Sequence, residues 1–343
     1  MRPTWEAHLD RDPNEETPLF ALRFDMRNAR ADHYAAALEM AVWAERNGAA
    51  GLAVCEHHGA DDGYLPSPNL ALAAMAARTS TIRIGAALAI APLYHPVRFA
   101  EECAVLDILS GGRLETALGI GYRRREYAMQ GKQFGQRGRR FDEFLEIVRR
   151  LWAGETVRFA GRHYTVDDAR IVPAPLRGTI PLYIGGFTER ALERVADYGD
   201  GFLGNEESCD LYFAKLAARG KDPAHAAVRI PGLFLTVAED PEKALDELAP
   251  YYHHVYNCYA SWMTEDNAIG MQNPTTRAMD VEAFKRSGIL QILTPEQAIA
   301  HFTAISERIP LEHYMMMRPP GLPAECFVDY AELFADSVIP AFT

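Results

Sequence analysis

The chain of 343 residues is poor in cysteine. Cys55, Cys103, Cys209, Cys258 and Cys326 are odd in number, scattered, and never form a C-x-x-C pair. That excludes a disulfide framework or a zinc-finger module and favours a reducing compartment. Long apolar runs are also missing. The longest, residues 84–94, contains a Gly and a Pro and falls well short of the roughly 20 residues a membrane-spanning helix needs. Positive charge is in deficit, with 35 Lys+Arg against 47 Asp+Glu and a net charge of −12. Such a surface repels phosphate backbones and anionic lipid, so neither nucleic acid nor a membrane is expected as a partner. Residues 1–17 read as a polar extension without an apolar signal core, and a cytoplasmic protein is expected. There is no G-x-S-x-G elbow, no Walker loop and no H-E-x-x-H pattern, which removes the hydrolase, nucleotide-hydrolase and zincin readings those motifs carry.

What is present is a repeated alternation of strand and helix. Strands are predicted at 19–26, 51–55, 82–91, 113–121, 181–186, 201–204, 230–238 and 313–317, with helical stretches between them. The clearest helix is 139–153, where Phe141, Phe144, Leu145, Val148, Leu151 and Trp152 repeat at helical spacing. Ser67-Pro68 and His95-Pro96 open two others, since proline suits the first helical position. Eight strands with eight helical units predict a single α/β domain over 1–343, a (β/α)8 TIM barrel, which typically needs ~250 residues. The surplus is assigned to an inserted hairpin at 156–175 and to a long lid-like segment at 263–293 after strand seven. An open doubly wound sheet is the alternative.

In such a barrel the chemistry lies where strands end at their C-termini. Strand two ends in Glu56-His57-His58, and imidazole serves as general base, proton shuttle or metal ligand near neutral pH. Strands four and five end in Gly119-Ile120-Gly121 and Gly185-Gly186-Phe187-Thr188. Glycine admits a ligand close to the backbone, and Thr188 at a helix start suits an anion site. The third glycine of a dinucleotide fingerprint is replaced by Arg124, which excludes a Rossmann site. Strands three and four alternate bulky with small residues, so small residues facing inward would leave room for a flat ligand. Arg123-Arg124-Arg125 offers at most one arginine for a ligand phosphate, with the rest read as solvated. Cys55 reads as a small apolar core residue. A metal-dependent hydrolase built on Glu56, His57, His58 and His95 lacks carboxylate partners at other strand ends, so no metal is expected.

Several segments in order resemble the bacterial luciferase-like flavin-dependent monooxygenase family. They are Ala53-Val54-Cys55-Glu56-His57-His58, Ala77-Arg78-Thr79-Ser80-Thr81-Ile82-Arg83-Ile84-Gly85 and His95-Pro96-Val97-Arg98. Leu106-Asp107-Ile108-Leu109-Ser110-Gly111-Gly112-Arg113-Leu114, Gly119-x-Gly121-Tyr122, Glu126-Tyr127 and Arg140-Phe141-Asp142-Glu143 continue it. Leu151-Trp152, Pro181-Leu182-Tyr183-Ile184-Gly185-Gly186, Asp200-Gly201 and Thr294-Pro295-Glu296 complete it.

The resemblance implies a barrel that takes reduced FMN from a separate flavin reductase and uses it with O2 to oxidise a small, largely apolar organic substrate. It further implies a homo-oligomer, a dimer. His57 matches the family's catalytic histidine, oriented by His58 and Glu56. Ala87-Leu88 matches a site where the family often holds a non-prolyl cis peptide under the flavin ring. Gly119, Gly121 and Tyr122 match the flavin wall, and Gly185, Gly186, Phe187 and Thr188 the phosphate turn. Phe187 and Gly119 stand where luciferases carry an acidic residue and a reactive cysteine, so light emission is not implied. Aromatic and Met residues at strand ends (Phe24, Tyr94, Tyr122, Phe187, Phe202, Met315–317) would supply a dry wall. Sister families on the same fold use a deazaflavin for hydride transfer, which is the alternative; a non-catalytic flavin-binding protein is a further one.

Overall fold

The computed structural model describes residues 19–25, 31–265 and 277–342. The chain begins with β1 (Phe20–Phe24), α1 (Ala31–Arg46), β2 (Gly51–Val54), α2 (Pro68–Arg78), β3 (Arg83–Ile90), α3 (Pro96–Ser110) and β4 (Thr116–Gly119). It continues through α4 (Arg124–Met129), α5 (Arg137–Trp152), the hairpin β5 (Val157–Ala160) and β6 (Thr165–Ala169), β7 (Leu182–Gly185), α6 (Glu189–Tyr198), β8 (Gly201–Leu203) and α7 (Cys209–Ala217). The last third holds β9 (Ala227–Gly232), β10 (Leu235–Val237), α8 (Pro241–Glu265), α9 (Val281–Arg286), β11 (Gln291–Leu293), α10 (Pro295–Arg308), β12 (Leu311–Arg318) and α11 (Ala324–Ser337).

Eight parallel strands close in the order β1-β2-β3-β4-β7-β8-β9-β12, so the architecture is the expected (β/α)8 barrel. The hairpin β5–β6 is antiparallel and outside it, where the insertion was predicted. One strand boundary is corrected. Residues 230–238 are two strands: β9 belongs to the barrel, and β10 leaves it to pair in parallel with β11. The break follows Pro231-Gly232, a turn signal inside a stretch whose two pieces are both largely buried. Of the predicted lid segment 263–293, residues 266–276 lie outside the described residues, while α9 and β11 follow within it. No helix among the described residues is long and apolar enough to cross a membrane.

Local chemistry sets the helix ends. Pro96 opens α3, which stops at Gly111 in the left-handed conformation, φ 71°, where glycine has no Cβ penalty. Thr294 and Gln297 form a reciprocal capping box at α10. In α5 the predicted apolar stripe is wholly buried, packed chiefly on α3; burial of each such side chain stabilises by roughly 1.5–3 kcal/mol.

The core has two shells. Leu52, Val54, Ile84, Leu118, Ile184 and Phe202 face the helices, whereas Ala21, Ala53, Ala87, Ala117, Tyr183, Leu203 and Met315 fill the barrel. The small residues of β3 and β4 therefore do point inward at Ala87 and Ala117. The alternation then breaks: the register shifts between Ala87 and Ala89, and Leu88 packs against the inner cluster. The Ala87–Leu88 peptide bond is cis.

Candidate active site

Glu56, His57 and His58 leave β2 at its C-terminal end, and each is tied to a different partner. Glu56 is buried and accepts the Ile90 N–H (2.7 Å) and the Tyr94 hydroxyl (2.9 Å). Its Oε1 lies 2.7 Å from His58 Nε2. Burial pulls the His58 pKa down, but the hydrogen bond and charge of Glu56 outweigh it and raise the pKa above the ordinary value. His57 takes another carboxylate. Its Nδ1 is 2.9 Å from Oε1 of Glu126, a fully buried residue of α4.

A carboxylate only accepts, so Nδ1 carries the proton and Nε2 is left as the basic nitrogen. The same Glu126 oxygen accepts the His58 backbone N–H at 3.1 Å and Arg123 Nη1 at 3.4 Å. Glu126 Oε2 is buried with no hydrogen-bond partner among the described residues. Arg123 is fully buried, donates to the His58 carbonyl at 3.0 Å, and stacks 4.0 Å from the Trp262 ring centre.

Rings enclose His57. Tyr64 lies 4.7 Å from it, Trp262 4.9 Å, and Tyr122 and Tyr259 5.8 Å each, centre to centre. Tyr259 and Trp262 come from α8, and Tyr259 donates to Asp25 at 3.3 Å, beside the buried Arg23–Asp25 pair. This is a correction to the predicted dry wall. Phe24 and Phe202 face the helix layer, and Phe187 is half exposed.

A second group gathers around Leu88. A Cβ built on Gly119 would sit 2.8 Å from Leu88 Cδ2, and one built on Gly185 would sit 2.5 Å from the same atom. Gly121 has φ 64° and would meet Ile90 at 2.8 Å. Three strand ends therefore close on Leu88 only because two of them carry no side chain. Gly186 follows at φ 151°, and Thr188 accepts the Ala191 N–H at 3.3 Å as the cap of α6. Cys55 donates to the Ala87 carbonyl at 2.7 Å, and burial pushes its thiol pKa far up.

Sequence reasoning missed Glu126, Tyr64, Tyr259 and Trp262. Of the three-arginine run, Arg124 and Arg125 are exposed as expected of two of them, while the third, Arg123, is buried on Glu126. The available signal was Glu126 itself, an acidic residue directly after the run; its partner lies 69 positions away.

The structure is a closed (β/α)8 barrel with a buried histidine–carboxylate pair at its C-terminal mouth. The chain belongs to the luciferase-like monooxygenase family, which matches residues 18–310, and it is an oxidoreductase. It is 30% identical over 226 residues to an F420-dependent glucose-6-phosphate dehydrogenase from Amycolatopsis mediterranei, covering 61% of this chain and 67% of the relative. It is 25% identical over 243 residues to the oxygenase component of a flavin-dependent trigonelline monooxygenase from Acinetobacter baylyi, covering 68% and 67%. The fold superposes on a monooxygenase from Streptomyces bottropensis with a TM-score of 0.76 at 23% identity, covering 95% of this chain and all of that one. The relatives thus include both flavin monooxygenases and F420-dependent dehydrogenases.

Proposed function

We propose that the protein is a monooxygenase using reduced FMN, delivered by a separate flavin reductase, and O2 to oxidise a small, largely apolar organic molecule. The observation that carries this reading is the His57–Glu126 pair inside a ring of four aromatic side chains. The residues suit a flavin in two respects. Glu126 Oε2 is an acceptor buried without a donor among the described residues, and such a group calls for one from a bound molecule. The α6 N-terminus, with its Thr188 cap, offers backbone N–H groups to a phosphate in a chain whose overall field repels one.

Ala87, Leu88, Gly119, Gly121 and Tyr122 would hold the ring system, and Gly185, Gly186, Phe187 and Thr188 the phosphate. Bound reduced flavin supplies the electrons that activate dioxygen. His57 Nε2 takes and returns a proton, Glu126 holds the ring and balances its charge, and His58 and Glu56 fix the loop. The aromatic ring of residues keeps water out, which protects reactive oxygen species from side reactions.

A deazaflavin-dependent hydride transfer is the second reading, favoured by the same pair, because oxidising an alcohol needs a base backed by a carboxylate. Anaerobic titration with reduced FMN, oxidised FMN and coenzyme F420 separates the two. Preference for reduced FMN, with O2 consumption only when a reductase is present, supports the first; preference for F420 overturns it. A cytoplasmic homodimer accompanies the proposal. Leu70 and Leu109, 74% and 65% exposed on α2 and α3, suit a covered face; light scattering tests it.

A further inference from the structure

A cluster of metal-ligating side chains lies beside the active site and takes no part in the proton pair. Asp62, in the loop four residues after His58, meets His254 and Cys258 of α8, and one ligand atom from each of the three lies within 4.8 Å of the others. His254 Nε2 is 3.0 Å from Asp62 Oδ2 and 3.7 Å from Cys258 Sγ. His254 and Cys258 are four residues apart, the spacing that puts two ligands on one face of a helix.

The geometry rules out the nucleophilic alternative. In a thiol–imidazole–carboxylate relay, thiol and carboxylate contact opposite ring nitrogens. Here both converge on Nε2. That convergence is the arrangement of a metal centre in which a proton occupies the metal's place. In a tetrahedral site with metal–nitrogen and metal–oxygen bonds of about 2.0–2.2 Å and a metal–sulfur bond of about 2.3 Å, ligand atoms stand roughly 3.3–3.6 Å apart. The observed separations of 3.0 and 3.7 Å bracket that range. One imidazole, one thiolate and one carboxylate form a borderline-soft set that suits Zn2+ or Co2+ and disfavours the hard, oxygen-seeking Mg2+ and Ca2+.

We propose that Asp62, His254 and Cys258 bind a divalent transition metal of the zinc class, with water completing the tetrahedron, and that the ion clips α8 to the loop carrying His57 and His58. Binding moves the proton on His254 Nε2 to Nδ1 and releases the thiol proton to solvent, with no redox change. The consequence for the site follows from position: Tyr259 and Trp262 are the next residues along α8 that pack on His57. A metal at this clip holds that aromatic wall in place. The proposal does not depend on which coenzyme the barrel takes.

The test is titration of the full-length, metal-stripped protein with Co2+, followed by the thiolate-to-cobalt charge-transfer band and by competition with Zn2+. One equivalent is expected to produce the band and one equivalent of Zn2+ to abolish it. Cys258→Ser is expected to remove the band, and His254→Ala to weaken binding by about a hundredfold or more, with unchanged circular dichroism in both. Cys326→Ser, at the other partly exposed cysteine, is expected to leave the band intact. Zn2+ should raise the melting temperature of the parent protein but not of His254→Ala. No band, a band that survives Cys258→Ser, or binding without any thermal stabilisation overturns the proposal.

Discussion

Glu126 Oε1 stands 2.9 Å from Nδ1 of His57, although 69 residues separate them. The contact exists because β2 and β4 flank β3 in the barrel, which brings the loops after them to one arc of the mouth. It sets which nitrogen of His57 is basic. His57→Ala is expected to lower kcat by about 10²–10⁴-fold, the usual weight of a general acid–base group. Glu126→Gln keeps the shape and removes the charge, and a fall on the order of 10–100-fold in kcat with little change in KM is expected. Steady-state kinetics decide; a Glu126→Gln enzyme of full kcat would remove the carboxylate from the mechanism.

The packing of Leu88 against Gly119 and Gly185 predicts a coupled pair of substitutions. Gly185→Ala forces its Cβ onto the Leu88 side chain and is expected to destabilise by about 1–3 kcal/mol. Leu88→Ala removes the obstruction. In that background Gly185→Ala is expected to be nearly neutral, a non-additivity that denaturant unfolding of the four proteins measures.

Below these residues the barrel floor is ionic. Arg229 donates to Glu115 and, at 2.9 Å, to Glu312, and it stacks 3.5 Å from the Tyr183 ring centre. Arg83 reaches Glu115 from the other side at 2.5 Å. Arg229→Met removes the cation shared by buried Glu115 and partly buried Glu312, leaving Arg83 beside Glu115, and is expected to destabilise by about 3 kcal/mol. Adding Glu115→Gln to it should recover part of the loss, read as a shift in the urea midpoint.

The same floor makes the fold acid-sensitive in two stages. Burial, reinforced by the Arg229 charge, lowers the His313 pKa from 6.5 to about 3. The unfolded chain therefore takes up a proton below about pH 6.5 that the folded chain refuses, and stability falls with a slope of up to about 1.4 kcal/mol per pH unit toward pH 3. For Glu312, burial raises the pKa, but the charge and hydrogen bond of Arg229 prevail and bring it from 4.5 to about 2. Its contribution is complete above about pH 4.5 and is lost as pH falls through about 2. Urea midpoints from pH 7 to 4 should decline for the parent protein and flatten for His313→Asn. An unchanged decline in that variant would show that another group carries the first stage.

The local sequence determined the elements whose signals are local. The apolar stripe of α5, the prolines opening α2 and α3 and the glycine closing α3 follow from spacing and backbone preference alone. Alternation of strand with helix then determined the barrel, because that pattern buries its apolar faces as a parallel sheet covered by helices. It also located Glu56, His57 and His58 at a strand end, where the structure places them. Residues 230–238 carry a local break at Pro231-Gly232, but only the pairing of β10 with β11 shows that the second piece leaves the barrel. Tertiary structure alone decided the partners: which carboxylate faces His57, which arginine is buried, and which aromatic side chains enclose the site. Those contacts join residues tens to hundreds of positions apart, and each is created by closure of the barrel. No short stretch of sequence carries a signal for a neighbour that only the closed sheet supplies.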